Sequence, residues 1–403
     1  MKHVITPVGT SLFTNGSKTN RNIQNSYERI EDKQHSEWDN NSTYIERLRS
    51  ISNEFISENT ISATAELQST AIIKDKIEDR IIVYLLASDT ISSRLAAEIL
   101  RDRINDPNSV LGENVTAHFE PENDVIGNLQ VNNTVNFSRE GMPNLFQRIN
   151  DIKDWKAGGG QNLAINITGG YGATLPYLTI FAQLEDVPLY YNFEDQDELI
   201  TIPQVPLAID SNLMDRHAGV LAQIADRIDD SLRWRAFKSQ NKSAVRELDA
   251  FIWEDNDLGA ELSPMGNIFW NDYLKSHFIV KLPSFMNRAA NDEVIRELYE
   301  RLNRALCPSY LTPDSCYQRL RELGHNDDLN HTGQVRGQDI FIFKSTDQDQ
   351  VRLMYSFVVN GRTITQITIF DRRGHIETEQ YIIWKNEFEN LPEMNFETYT
   401  FDI

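Results

Sequence analysis

The sequence predicts an α/β amino-terminal half, a helical middle and an α+β carboxy-terminal third. Three observations carry this. Short apolar strands alternate with helical stretches through the first half, as in a mostly parallel, doubly wound sheet. The stretch Leu163–Leu178 runs from β-branched residues into Thr168-Gly169-Gly170, and helical spacing begins near Ala173. That order of strand, glycine turn and helix start offers backbone N–H groups to a phosphate. Beyond Asp339 the pattern changes to consecutive strands, with Asn360-Gly361 as a hairpin signal.

In chain order, Val4–Leu12 opens as an apolar strand that ends in Gly9-Thr10-Ser11. Asn15–Asn41 is polar and reads as a loosely packed loop. Helical spacing returns over Tyr44–Phe55 (Ile45, Leu48, Ile51, Phe55) and Ala63–Ile77. A strand at Arg80–Leu86 ends in Ser88-Asp89-Thr90, where Asp89 or Thr90 caps a helix carrying Leu95, Ala96, Ile99 and Leu100. Val115–Phe119, a helix over Leu145–Trp155, Val187–Tyr191 and Leu199–Ile202 continue the alternation, and Pro203 and Pro206 mark its exit. From Ala208 to Lys275 the chain reads as helices, with Leu213, Val220, Leu221, Ile224 and Ile228 on one face. Its basic cluster, Arg233, Arg235, Lys238 and Lys242, is too short to favour DNA. The last third holds a strand at Phe278–Leu282, a helix at Glu293–Leu306, and strands at Asp339–Lys344, Val351–Val359 and Thr363–Phe370.

Composition limits the choices. With 403 residues the chain holds two or three domains, and 40% hydrophobic with 25% charged residues is ordinary for globular protein. No apolar run reaches the ~20 residues that span a bilayer, so a cytoplasmic protein with no membrane partner is expected. Cys307 and Cys316 are expected as free or buried thiols. A net charge of −21 means that any nucleic-acid chemistry runs on a local basic patch or through a partner.

PVGTSLFTN, LLASDT and ITGGYGATLPYLT, in this order, resemble the CRISPR-associated Rossmann-fold sensor family, CARF. The resemblance implies a Rossmann-like sensor domain over residues 1–205, a homodimer, and a cyclic oligoadenylate ligand, with cyclic tetra-adenylate as allosteric activator. Its ligand-binding residues would be Gly9, Thr10, Ser11, Leu12, Ser88, Asp89, Thr90, Thr168, Gly169, Gly170, Tyr171 and Gly172. Relatives that cut the ring commonly carry Lys where Gly172 stands, so ring cleavage is not expected here. Residues 206–275 resemble a winged helix-turn-helix between sensor and effector.

The carboxy-terminal strands carry Lys344, Arg352, Arg372, Arg373, His375 and Tyr381. Cleaving RNA without a metal needs a base for the 2′-hydroxyl, an acid for the leaving oxygen and cations around the phosphorane. These residue types suit all three tasks. The stretch RGQDIFIFKSTDQDQVRLMYSFVVNGRTITQITIFDRRGHIETEQY resembles the RelE family of ribosome-dependent messenger-RNA interferases. The likeness implies a ribonuclease domain over 276–403, with Lys344, Arg352, Arg372 or Arg373, and Tyr381 at the family's positions. On this reading Tyr381 or His375 is the base, Arg373 the acid, and Lys344 and Arg352 hold the phosphate. Together the two resemblances imply a type III CRISPR ancillary effector that cuts messenger RNA on the ribosome, with no cofactor and no metal. Three rivals stay open. One is an all-helical HEPN ribonuclease using Arg319 and His325, another a transcription regulator, the third a sensor that only sequesters or degrades its ligand.

Overall fold

The computed structural model describes residues 1–130, 133–193, 198–205, 210–255, 257–306, 329–335, 338–345, 351–360, 363–376, 380, 383–384, 386–387 and 394–403. The chain divides into two compact units, Met1–Ala208 with Ser263–Ile268, and Ile209–Leu262 with Phe269–Ile403. Among the described residues, no helix is long and apolar enough to cross a membrane.

The first unit is built on a seven-stranded sheet. Its strands are β1 Lys2–Val8, β2 Ile81–Ser88, β3 Val115–His118, β4 Val125–Ile126, β5 Leu163–Asn166, β6 Leu189–Asn192 and β7 Leu199–Ile202. The order is β3-β2-β1-β5-β6-β7, with β4 beside β2. Pairing is parallel except for β7, which runs antiparallel to β6. Val4, Ile5, Val83, Leu85, Ala164 and Ile165 are all buried, as expected when helices cover both faces of a parallel sheet. The chain winds outward from β1 through β2 to β3, then restarts on the other side of β1 with β5. The order therefore reverses between β1 and β5, where an open α/β sheet leaves a crevice at its carboxyl edge.

Residues 15–41 are not the loop that their polarity predicts. Helices span Ser11–Thr19 and Arg21–Tyr27, with short 3-10 turns at His35–Glu37 and Asp39–Asn41. Few apolar side chains lie here, but Phe13, Ile23 and Ile30 are fully buried in the sheet's core. A few well-placed anchors outweigh an average composition, because tertiary packing supplies most of a short helix's stability. The remaining helices fall near their predicted places: Ser42–Asn59, Ala65–Lys76, Ile91–Ile104, Met142–Asp151 and Leu175–Leu184. Thr90, not Asp89, caps the third of these, its hydroxyl accepting from the Ser93 N–H.

In the second unit, helices Ser211–Ala225, Ser231–Gln240 and Lys242–Glu247 precede an antiparallel hairpin of β8 Ile252–Asp255 and β9 Gly259–Leu262. The sequence reading of this segment as helices did not contain the hairpin. A six-stranded sheet follows, made of β10 His277–Pro283, β11 Leu329–Val335, β12 Gln338–Lys344, β13 Arg352–Asn360, β14 Thr363–Arg373 and β15 Phe396–Asp402. Its order is β11-β12-β13-β14-β10-β15. β11 to β14 form a meander, with Asn360 of β13 opposite Thr363 of β14. β10 is parallel to β14, and β15 closes the edge antiparallel to β10. Helix Asp292–Leu306 lays Val294, Ile295, Leu298 and Leu302 on one face of this sheet. The helical segment and the sheet are joined within this unit, where Lys281 of β10 pairs with Asp226.

Two histidines of the first unit make its stability depend on pH. His3 is 3% exposed and stacks on Tyr84, and burial lowers its pKa, with the amino terminus and Lys2 adding to the shift. Burial also lowers His35, with Arg94 second. A folded-state pKa below the unfolded value means that the unfolded chain takes up protons first as pH falls. Stability is complete above the ordinary imidazole value of about 6.5 and declines below it. The thermal midpoint of the full chain should fall between about pH 7.5 and pH 5.5, and His35→Gln should flatten that slope. Calorimetry across this range is the measurement, and a steeper slope in the variant would contradict the assignment.

Candidate functional site

The end of β1 and the turn after β5 meet at a buried carboxylate. Glu66, 2% exposed, accepts a hydrogen bond from the Gly9 N–H at 2.9 Å and another from the Ser11 hydroxyl at 2.6 Å. Gly169 packs directly on it, and a Cβ there would collide with the Glu66 carboxylate. Gly170 has φ +86, and a Cβ would lie 2.5 Å from that of Pro7. The two glycines are therefore required by the closeness of β1, and Gly170 also by its left-handed backbone.

Above this junction, a cleft of about 220 Å³ opens at the carboxyl edge of β1 and β2. Gly9, Thr10, Ser88, Thr90, Gly170 and Tyr171 line it. Hydroxyls bind its floor together. Ser93 donates to the Val8 carbonyl at 2.8 Å and accepts from the Ser88 N–H at 3.0 Å, and the Ser88 and Thr90 hydroxyls are 3.2 Å apart. Helices Ser11–Thr19 and Ile91–Ile104 both begin here, so the positive ends of their dipoles favour an anion. Tyr171 stands 6.1 Å, ring to ring, from Phe137, an aromatic face of the kind on which a base stacks.

Other expected binding residues have different tasks. The Ser11 hydroxyl is committed to Glu66, and Leu12 is 1% exposed in the core. Thr168 accepts from the Asn192 N–H at 2.8 Å, tying the glycine turn to the end of β6. Asp89 turns its carboxylate to the Asn128 N–H at 2.9 Å. Around Gly172 a side chain would meet open space. Sequence reasoning missed Glu66, and it missed Glu31, Asp32, Ser92, Ser93 and Gln130 of the lining. The Ser92-Ser93 pair directly after the Thr90 cap was a readable signal. Glu31 and Asp32 lay in the supposed loop.

In the second unit, strand register assembles a row of cations. Lys344 of β12 is opposite Arg352 of β13, and Arg352 is opposite Arg373 of β14. Directly opposed residues share a face of the sheet, with Cβ atoms about 5 Å apart. Arg352 is 7% exposed, and its Nη2 lies 3.4 Å from Nδ1 of His375. Arg373 is clamped: Nε is 3.3 Å from Asp371, Nη2 is 2.5 Å from Glu387, and the guanidinium sits 5.1 Å over the Trp384 ring. Trp384 in turn donates to Asp371 at 2.6 Å. Arg372, one residue away, points to the opposite face and donates to the Ala290 carbonyl at 2.7 Å and to Asn291 at 2.8 Å. The structure thus brings Lys344, Arg352, Arg373 and His375 to one region and leaves Arg372 bracing the start of a helix. Tyr381, Cys307, Cys316, Arg319 and His325 lie outside the described residues. Among the described residues, no group of three or more His, Cys, Asp or Glu could hold a metal ion.

A family described as CRISPR-associated protein (Cas_APE2256) matches residues 61–205. Over that span the chain is similar to CRISPR-associated proteins. The match begins beside Glu66 and runs through β2 to β7, so it takes in the glycine turn and the Ser88–Thr90 edge of the cleft. No curated protein matches the chain.

Substitutions separate the glycines by role. Gly170→Ala should cost about 1–3 kcal/mol, the usual scale for a non-glycine residue forced into a left-handed conformation. Gly172→Ala should stay within about 0.5 kcal/mol, as at other open positions. Glu66→Ala should cost about 1–3 kcal/mol for each buried donor left unsatisfied. Urea denaturation of the full chain reads all three, and equal losses at Gly170 and Gly172 would contradict the geometry.

Proposed function

We propose that the chain is an ancillary effector of a type III CRISPR system, a ribonuclease switched on by a cyclic oligoadenylate. The first unit is the sensor, dimeric and binding cyclic tetra-adenylate. The second cuts messenger RNA on the ribosome by 2′-hydroxyl attack, leaving a 2′,3′-cyclic phosphate. The observation that carries the enzymatic part is the cross-strand row Lys344, Arg352 and Arg373 beside His375. In a chain of net charge −21, a cationic row on one sheet face suits a scissile phosphate whose charge grows in the transition state. The sensor part rests on the cleft at the strand-order reversal and on the likeness of residues 61–205 to CRISPR-associated proteins.

In this reading Arg352 and Lys344 stabilise the phosphorane. His375, beside Arg352, is placed to exchange a proton, and Arg373 approaches the leaving oxygen once its hold on Glu387 loosens. Tyr381 is the alternative to His375 as base. Supporting this over an all-helical HEPN domain is the six-stranded sheet around the candidate residues. The transcription-regulator alternative draws on one feature, the three helices and the hairpin β8–β9 with Arg233, Arg235, Lys242 and Arg246 exposed. DNA affinity that vanished at modest salt would leave that alternative without support.

Ribosome-dependent cleavage, assayed with and without cyclic tetra-adenylate, tests the proposal. Arg352→Ala should lower the rate by about 10² to 10³, the scale for one lost transition-state donor. His375→Ala should lower it by about 10² or more if it is the base. Arg372→Ala should reduce stability more than rate. Wild-type rates in the Arg352 and His375 variants would sink the reading.

A second test addresses the sensor. Gly172→Lys adds an ammonium at an open position beside the glycine turn, so binding of cyclic tetra-adenylate should tighten, and weaken again with salt. Calorimetric titration measures it, and unchanged affinity would move the phosphates away from this turn.

A further inference from the structure

The cleft of the first unit has an unexpected composition for an anion site. None of its lining residues, among those described, is Lys, Arg or His, and two of them, Glu31 and Asp32, are acidic. Both are exposed, yet their backbone is fixed at the cleft. The Ser92 hydroxyl donates to the Glu31 carbonyl at 3.4 Å, the Ile91 N–H to the Lys33 carbonyl at 3.0 Å, and the His35 N–H to the Asp89 carbonyl at 3.3 Å. Gln34 and Thr90 form a bridge in the same place. Burial raises the pKa of the Tyr27 phenol, and the charges of Glu31 and Asp32 add to that shift. Both residues line the cleft together with Thr10.

An ionised carboxylate only accepts hydrogen bonds, and a phosphodiester has no proton to donate. Two carboxylates beside phosphates are repulsive unless the ligand presents donors of its own. In a ring of 3′–5′ linked adenylates, the available donors are the 2′-hydroxyl and the adenine 6-amino group.

We propose that Glu31 and Asp32 accept hydrogen bonds from these nucleoside donors, so that the cleft selects a ribonucleotide ring over other anions. The proposal rests on the sensor reading and refines it. Phosphates are held by the helix starts and hydroxyls, and identity is read by the acids. A small inorganic anion without such donors gains nothing from the acids and is repelled by them.

The sign of one effect separates this from simple repulsion. If the acids only repel, neutralising them tightens binding of a polyanion. If they accept from the nucleoside, neutralising them weakens it. Binding of cyclic tetra-adenylate, its 2′-deoxy analogue and the corresponding inosine ring is measured by titration calorimetry on the full-length wild type, Glu31→Gln and Asp32→Asn. At least one variant should bind cyclic tetra-adenylate tenfold or more weakly, the scale of a lost hydrogen bond to a charged group. Wild type should discriminate against the analogue that lacks the donor, and that same variant should not. Weakening against the 2′-deoxy ring assigns the ribose, and against the inosine ring the base. Tighter or unchanged binding in both variants overturns the inference and leaves the sensor reading standing. If the wild type binds none of the three rings, the sensor reading itself falls.

Discussion

A single buried carboxylate organises the first unit. Glu66 sits where the end of β1, the start of helix Ala65–Lys76 and the turn after β5 converge, and it takes its hydrogen bonds from neutral donors. Burying a carboxylate is expensive unless its lone pairs are filled, so these bonds are a condition for the junction to close. With them in place, Gly169 packs on the carboxylate and Gly170 on Pro7, which brings Gly170 and Tyr171 to the cleft beside the ends of β1 and β2. The same bonds withdraw Ser11 and the Gly9 N–H from any ligand. Thr10, Ser88, Thr90, Ser92 and the two helix starts remain to face it.

The second unit depends on alternation. Side chains one residue apart on a strand face opposite sides, and antiparallel register decides which side matches which. Arg373 therefore joins Arg352 and Lys344, whereas Arg372 crosses to the helix-covered side and ties down the loop before helix Asp292–Leu306. A cationic row carries its own cost, since like charges on neighbouring strands repel. The acids Asp371 and Glu387 offset this at Arg373, and the Trp384 ring fixes its direction.

Taken alone, the sequence determined the kinds of element and most of their places. Alternating strands and helices, the Thr168-Gly169-Gly170 turn, the Thr90 cap and the hairpin at Asn360 are local signals, set by periodicity and backbone stereochemistry within a few residues. Its three hydroxyl-rich strand ends were legible for the same reason. It misread residues 15–41 because Phe13, Ile23 and Ile30 declare themselves only against a core supplied from elsewhere. It passed over β15, whose partner β10 is more than a hundred residues earlier in the chain.

Only the tertiary structure decided which polar groups share a site. Glu66 is one glutamate among many in the sequence, and it becomes the junction only when β1 and β5 lie side by side. Glu31 and Asp32 reach the cleft because the segment they open is bonded to the turn after β2. Ser11, Thr168 and Leu12 sit within the expected motifs, yet face an internal carboxylate, a neighbouring strand and the core. A motif fixes residue type and local backbone. The direction of a side chain and the charge opposite it follow from strand order and register, which are set by contacts between residues far apart in the chain.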